Sequence, residues 1–215
     1  GQFVAGLFCF FMALHAAPGA GDHWTLQLAG GDFYSPRMPL ILMQDGQEDL
    51  DLDAQYDRQS FESPIYYSCR GARWQDGRAW ELEMIHAKLY LEDPPPEVGH
   101  FTLSHGYNLL FVNRAREEKY FIWRIGGGAV VTHPESTVRG KRFEEDGGLL
   151  NQGYYLSGPA GQIAVEKRFY FRERFFAGLE AKASLSWARV PIEDGHAELW
   201  NLAVHGLLGV GFDLK

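Results

Sequence analysis

From Trp200 to the end of the chain, apolar positions alternate with small or polar ones. One set reads Trp200, Leu202, Val204, Gly206, Leu208, Val210, Phe212 and Leu214. The other reads Asn201, Ala203, His205, Leu207, Gly209, Gly211 and Asp213. Period two is the signature of a β-strand with two unlike faces. A run this long exceeds the ~5–6 residues typical of a strand in a soluble protein, and one of its faces suits lipid. A second run sets Phe175, Ala177, Leu179, Ala181, Ala183, Leu185 and Trp187 against Gly178, Glu180, Lys182, Ser184 and Ser186. Weaker alternation predicts strands over 24–32 (Trp24, Leu26 and Leu28 outward), 63–74, 79–91, 101–113 and 120–133, with another ending near Phe171. In 79–91 Trp80, Leu82 and Met84 share one face, and Glu81 and Glu83 the other. Helical periodicity is scarce after the N-terminal region. The pattern predicts an all-β protein, an eight-stranded antiparallel transmembrane β-barrel.

The connections support this. Segments 31–62, 92–100 and 134–150 are long or proline-rich, whereas 75–78, 114–119 and 172–173 are short, and Asp76-Gly77 is a strong hairpin signal. Outer-membrane barrels join their strands by short periplasmic turns and longer external loops, and from a periplasmic N-terminus every long segment falls outside. A soluble lipocalin-like barrel would turn its apolar faces inward instead. In the predicted register the lumen receives Arg70, Glu81, Glu83, Arg124, Glu166, Arg168, Glu180 and Lys182. Eight strands enclose too little space for a water-filled pore, so these charges are expected to pair with one another. Trp74, Trp80, Trp187, Trp200 and Tyr120 fall at strand ends, as interfacial girdle residues do. Gly126-Gly127-Gly128 marks close packing or a bend within a strand.

The apolar stretch 3–14, followed by small residues to Ala20, has the layout of a secretory signal and is too short to span a bilayer as a helix. We therefore expect a signal peptide over 1–20, missing its first residues because neither a starting Met nor a basic region precedes it, and a barrel over 21–215. Cys9 falls in the signal, which leaves Cys69 a lone thiol of the small apolar kind. The net charge of −8 argues against a nucleic-acid partner. A mean hydropathy of −0.25 is compatible with a barrel, because the polar half of each strand offsets the apolar half. The acidic stretch 33–61 (Asp45, Glu48, Asp49, Asp51, Asp53, Asp57) reads as a solvated external loop, with a calcium site as the alternative. These features predict a monomer in the outer membrane of a Gram-negative bacterium.

The chain carries no nucleophile elbow, phosphate loop, metalloprotease helix or CxxC pair. One constellation stands out. The outward series Trp80, Leu82, Met84 continues to His86 and Lys88, and folding the next strand back sets His105 about opposite His86, flanked by outward Leu103 and Tyr107. Ser104 and Asn108 then fall on the other face, while His100 and His133 lie near the same rim. The cluster reads either as interfacial side chains reaching toward lipopolysaccharide phosphates or as a catalytic or metal-binding site. A register slip of one residue would turn it inward. His205, among small residues, reads as a member of the lumen network.

Three stretches carry a resemblance to a known family: Ser60-Phe61-Glu62-Ser63-Pro64-Ile65-Tyr66-Tyr67, the run 80–90 containing Ile85-His86-Ala87-Lys88-Leu89-Tyr90, and Leu103-Ser104-His105-Gly106-Tyr107-Asn108-Leu109-Leu110. They resemble the lipid A oxidase-like outer-membrane barrels, and the likeness extends from about Trp24 to Leu214. The matched positions are Glu62, Tyr66, Tyr67, His86, Lys88, Tyr90, Gly106, Asn108 and Leu110; position 105 is His where some members have an acidic residue. The resemblance implies an eight-stranded barrel that oxidises the proximal glucosamine of lipid A to an aminogluconate unit, with molecular oxygen as co-substrate and lipid A or lipopolysaccharide as partner. Taken with the clustering above, it makes His86, His105 and Lys88 the candidate catalytic residues, of which His86 and Lys88 are matched positions, with the histidines as bases or ligands of a divalent metal and the lysine holding a phosphate. No organic cofactor site is expected. The His-x-Ser pair of lipid A deacylase barrels and the amphipathic helix of the palmitoyltransferase barrels are both missing from the sequence. The alternative function is a non-catalytic small barrel with a structural or loop-mediated binding role.

Overall fold

The computed structural model describes residues 21–143 and 147–214; the expected signal segment lies outside them. The elements in chain order are β1 (His23–Tyr34), β2 (Met38–Gln44), β3 (Leu50–Ala54), β4 (Tyr56–Asp57), β5 (Tyr67–Gln75), β6 (Arg78–Leu91), β7 (Val98–Glu117), β8 (Ile122–Thr132), β9 (Glu135–Val138), β10 (Lys141–Arg142), β11 (Tyr155–Phe171), β12 (Phe175–Ile192) and β13 (Gly195–Leu214). Eight of them close a ring in the order β1, β5, β6, β7, β8, β11, β12, β13, each antiparallel to the next, and β13 returns to β1 with Trp24 opposite Leu214. Closure leaves no unpaired edge within the wall, as a bilayer requires. The β5–β6 turn forms where Asp76 and Gly77 both take positive φ (48° and 68°), which matches the twist of a tight hairpin.

Alternation along the strands gives the wall two chemistries. Trp24, Leu26, Leu28, Leu82, Val112, Ile125, Ile163, Leu179, Val204, Leu208 and Val210 face outward and are exposed, as a lipid-facing belt must be. Tyr120, Trp80, Trp123 and Trp200 lie exposed on that face. Trp74 does not join them: it points into the lumen, buried, with the Arg168 guanidinium over its ring. Its strand faces are fixed by Arg70 and Ala72, which also point inward, and a one-face rule places Trp74 with them.

The lumen is layered. Trp74, Ile122, Ala72, Ala79 and Ala115 form an apolar floor. Above it, the carboxylates of Glu81, Glu83, Glu166 and Glu180 meet Arg70, Arg124, Arg168 and Lys182. Arg124 alone binds Glu81 at 2.8 Å, Glu166 at 2.5 Å and Glu180 at 3.1 Å. Gly126 makes room for the network, since a Cβ there would overlap the Asn113 amide oxygen. His205 joins from above, held by the Tyr66 hydroxyl and the Ser184 hydroxyl, both at 2.8 Å. A large apolar cluster including Ile85, Leu89, Phe101, Leu103, Tyr107, Val190 and Leu199 fills the external half. The filled lumen matches the structural reading of the inward charges.

The external end departs from the expected loops. Segment 33–61 is mostly ordered strand: β2 pairs with β13, β3 pairs with β2, and β4 pairs with β6. The acidic residues there alternate with Leu50 and Leu52, so Asp51 and Asp53 mark the solvent side of a half-buried strand. β12 and β13 run on to a tight turn at Glu193-Asp194, with Asp194 at positive φ (55°). At ~3.3 Å per residue such strands outrun the ~9–11 residues needed to cross a bilayer; their upper parts form a folded cap outside it.

Candidate functional site

The histidines and lysine anticipated from the sequence lie on the outer wall of β6 and β7, at its external end. Cross-strand pairing builds the wall in rows. The lowest row is apolar: Cys69, Met84, Leu110, Ala129. The next is Tyr67, His86, Asn108, Val131. The top row is Tyr90, Thr102, Glu135. Between these two, a bulge sets three β7 residues, Ser104 to Gly106, against the single β6 residue Lys88. Gly106 takes φ +148°, and a Cβ there would overlap the Asn108 side chain, so glycine is required at that position.

The bulge corrects the expected register. His86 faces Asn108, not His105; Leu103 and Tyr107 are buried inside the barrel, while Asn108 shares the outward face with His86. Two extra residues preserve the alternation on either side, yet the bulge throws His105 outward, where it is exposed. The expected exposure of His105 is therefore met by a different route. Regular alternation from Leu103 through Tyr107 would have placed it inside.

His86 and Lys88 point outward but are covered. His86 is 7% exposed and stacks on Tyr67, centroids 5.4 Å apart. Its Nδ1 lies 2.8 Å from Asn108 Oδ1, which can only accept, so Nδ1 carries the proton. Nε2 is then a lone-pair nitrogen, buried and, among the described residues, without a hydrogen-bond partner. Lys88, 2% exposed, donates from Nζ to the Glu62 carbonyl at 3.0 Å and lies over the Tyr90 ring at 5.8 Å. The segment before β5 thus closes over the lysine, which was expected to reach headgroup depth unhindered.

His105 is gathered with residues of the β8–β9 region. Its Nδ1 donates to Glu135 Oε1 at 2.5 Å; Ser104 Oγ donates to the same oxygen at 2.6 Å. His133 stands beside His105, ring centroids 5.1 Å apart, and packs edge-on against Tyr154 at 4.9 Å. The His133 amide is fixed by the Gly106 carbonyl at 3.0 Å, and the buried His133 Nδ1 has no hydrogen-bond partner among the described residues. One ligand atom from each of His105, His133 and Glu135 falls within 4.8 Å of the others. Burial pushes the Glu135 carboxyl up, but hydrogen bonds from Ser104 and His105 and the neighbouring imidazoles hold it below the usual range. Tyr90, whose ring carries Lys88 Nζ at 5.8 Å, pairs with Thr102, and Thr102 pairs with Glu135, so the top row runs from the lysine to this group.

The sequence singled out His86, Lys88 and His105 on this wall, and the structure gathers further residues around them. Glu135 and Tyr154 went unnoticed, and Asn108 and Ser104 were assigned to the opposite face. His133-Pro134-Glu135 was the available signal for Glu135, since residues two apart on a strand share a face; the proline suggested loop. His100 lies one strand pair beyond, opposite Thr137.

No family model matches the chain, and no curated protein matches it. The fold, with its closed ring and lipid-facing belt, is that of a small outer-membrane β-barrel. Among solved structures, the outer-membrane protein AlkL, determined by solid-state NMR in lipid bilayers, is 12% identical, with 94% of each chain covered and a TM-score of 0.51. Ail, the attachment invasion locus protein of Yersinia pestis, solved with a heparin analogue, is 9% identical over 90% of this chain and 99% of its own (TM-score 0.42). OprG of Pseudomonas aeruginosa is 11% identical over 93% and 98% (TM-score 0.40). At 12% identity the likeness to AlkL speaks to the fold alone.

Proposed function

We propose that this chain is an outer-membrane enzyme that modifies lipid A from the external leaflet, in the manner of the lipid A oxidase-like barrels. The observation that carries the reading is the unpartnered Nε2 of His86, held on the lipid-facing side of a barrel whose lumen is filled. A buried imidazole with a fixed tautomer and a free lone pair is poised to accept a proton. Immediately below it, the wall carries an apolar groove of about 910 Å³ lined in part by Leu26, Leu28, Cys69, Leu82, Met84 and Leu110. A substrate with acyl chains in that groove would present its headgroup to the row of Tyr67, His86 and Asn108.

In this reading His86 accepts the proton of a free anomeric hydroxyl as the adjacent C–H bond passes a hydride to molecular oxygen; the reduced oxygen takes up that proton and leaves as hydrogen peroxide, and water then opens the resulting lactone to the acid, a net gain of one oxygen atom. Asn108 fixes the imidazole orientation as a positioning residue. Lys88, bonded to one backbone carbonyl, retains donors for a phosphate oxygen. His105 stands above, as a second base or a metal ligand. The filled lumen means that a route through the barrel plays no part.

The test is incubation of the purified, detergent-folded barrel with isolated lipid A, in air and under anaerobic conditions, followed by mass spectrometry. The expected product carries one additional oxygen atom, forms only in air, and is lost with His86→Ala. An unaltered lipid A spectrum in air overturns the activity and leaves the non-catalytic barrel, for which the folded external cap is the available binding surface.

A further inference from the structure

We infer that His105, His133 and Glu135 form a binding site for a divalent first-row transition metal on the outer face of the barrel. Two imidazoles and one carboxylate are the donor set of open metal sites, in which the remaining positions go to water or substrate. Nitrogen donors in that proportion disfavour magnesium and calcium, which take oxygen ligands.

Two stretches of backbone, the β7 bulge and the junction between β8 and β9, are brought together to make the group. The β7 bulge, which Gly106 permits, carries His105 out of the wall. The Gly106 carbonyl fixes the His133 amide just past the end of β8. Pairing of Glu135 with Thr102 holds the carboxylate on the same face. Ser104 orients Glu135 through a 2.6 Å hydrogen bond, and the Tyr154 hydroxyl reaches the His105 carbonyl at 3.4 Å. Outer partners of this kind set ligand orientation in metal sites.

A simple ion pair between His105 and Glu135 accounts for two of the three groups. It leaves the Nδ1 of His133 buried and, among the described residues, without a hydrogen-bond partner, a costly arrangement for a polar atom. A cation shared by all three groups removes that cost. The ligand atoms lie within 4.8 Å of one another, against ~3.3 Å in a tetrahedral set with ~2.0–2.1 Å bonds. His105, already bonded to Glu135 and exposed on the bulge, is the ligand with room to adjust. With three protein ligands the site keeps open positions toward the outside.

The experiment is titration of the folded barrel in detergent, stripped with EDTA, with Co²⁺ followed by visible absorption and with Zn²⁺ by calorimetry. One equivalent is expected to bind, with absorption bands of a low-coordinate cobalt centre. His105→Ala, His133→Ala and Glu135→Ala are each expected to weaken binding at least tenfold, and Ser104→Ala by a smaller factor. His196→Ala, which alters a histidine–carboxylate pair elsewhere on the surface, is expected to bind as the parent does. His105→Ala changes an exposed bulge residue, so it reports on the site even if the buried His133 variant fails to fold. Failure of the parent to bind one equivalent, or binding unchanged in His105→Ala and Glu135→Ala, overturns the inference. The outcome is separable from the proposed activity. A barrel that binds metal but leaves lipid A unaltered keeps this site and removes the activity; one that modifies lipid A without binding metal does the reverse.

Discussion

Removing Arg124 tests the lumen network most severely. Its guanidinium is buried and contacts three carboxylates, Glu81, Glu166 and Glu180, at 2.8, 2.5 and 3.1 Å. The buried carboxylates Glu81, Glu83, Glu166 and Glu180 are balanced by Arg70, Arg124, Arg168 and Lys182, four against four, so Arg124→Leu leaves one uncompensated negative charge in a closed interior. Breaking a buried pair by removing one partner costs about 3–5 kcal/mol, and the expected loss lies in that range. Arg124→Leu combined with Glu81→Leu restores three against three. It should be more stable than the sum of the single effects, with a coupling energy toward the upper part of the ~0.5–3 kcal/mol seen for contacting residues. The assay is urea unfolding in detergent micelles, read by tryptophan fluorescence and by heat-modifiable electrophoretic mobility. A loss under about 1 kcal/mol for Arg124→Leu, or strict additivity in the double variant, would refute the account of the lumen as a charge-balanced network.

Other consequences are accessible to the same methods. Leu208→Arg, on the exposed apolar face of β13, should destabilise the barrel in bilayers by about 2–4 kcal/mol if that face lies near the midplane; equilibrium unfolding in liposomes measures it. Gly126→Val should cost about 1–3 kcal/mol, because its side chain would collide with Asn113 inside the network. A fluorophore on Cys69, which is exposed on the lipid-facing wall, should be quenched by nitroxide-bearing lipids and spared by water-soluble iodide. Asn108→Leu should lower the rate of lipid A oxidation at least about tenfold and shift its pH profile while leaving heat-modifiable mobility intact, since base catalysis contributes ~10²–10⁴ and depends on imidazole orientation.

Strand identity, the facing of most ring strands and the inward charge set were legible from alternation, because each ring strand buries one face and the period is two; β7 was read with its faces exchanged, Leu103 and Tyr107 lying inside. The signal was clearest in β12 and β13, where Glu180 and Lys182 face Leu179 and Leu185 across the wall. What escaped was everything that breaks the period. The two-residue excess around His105 exchanges Asn108 for His105 opposite His86, and no local pattern distinguishes Ser104-His105-Gly106 from regular strand. The cap was missed for a related reason. β2 is stabilised by pairing with the upper part of β13, a partner distant in sequence, and its acidic neighbours suggested solvent. Trp74 shows the limit of composition-based reading, since an aromatic residue near a strand end serves equally as girdle or as lumen floor.

The central claim is that the outward row on β6 and β7 does chemistry on lipid A. The most direct measurement is mass spectrometry of lipid A from cells lacking the gene, complemented with the wild-type chain or with His86→Ala at equal outer-membrane abundance. The account predicts that the wild type restores the oxidised species and the variant does not. Identical lipid A from the wild-type cells, the deletion strain and the His86→Ala strain would contradict it.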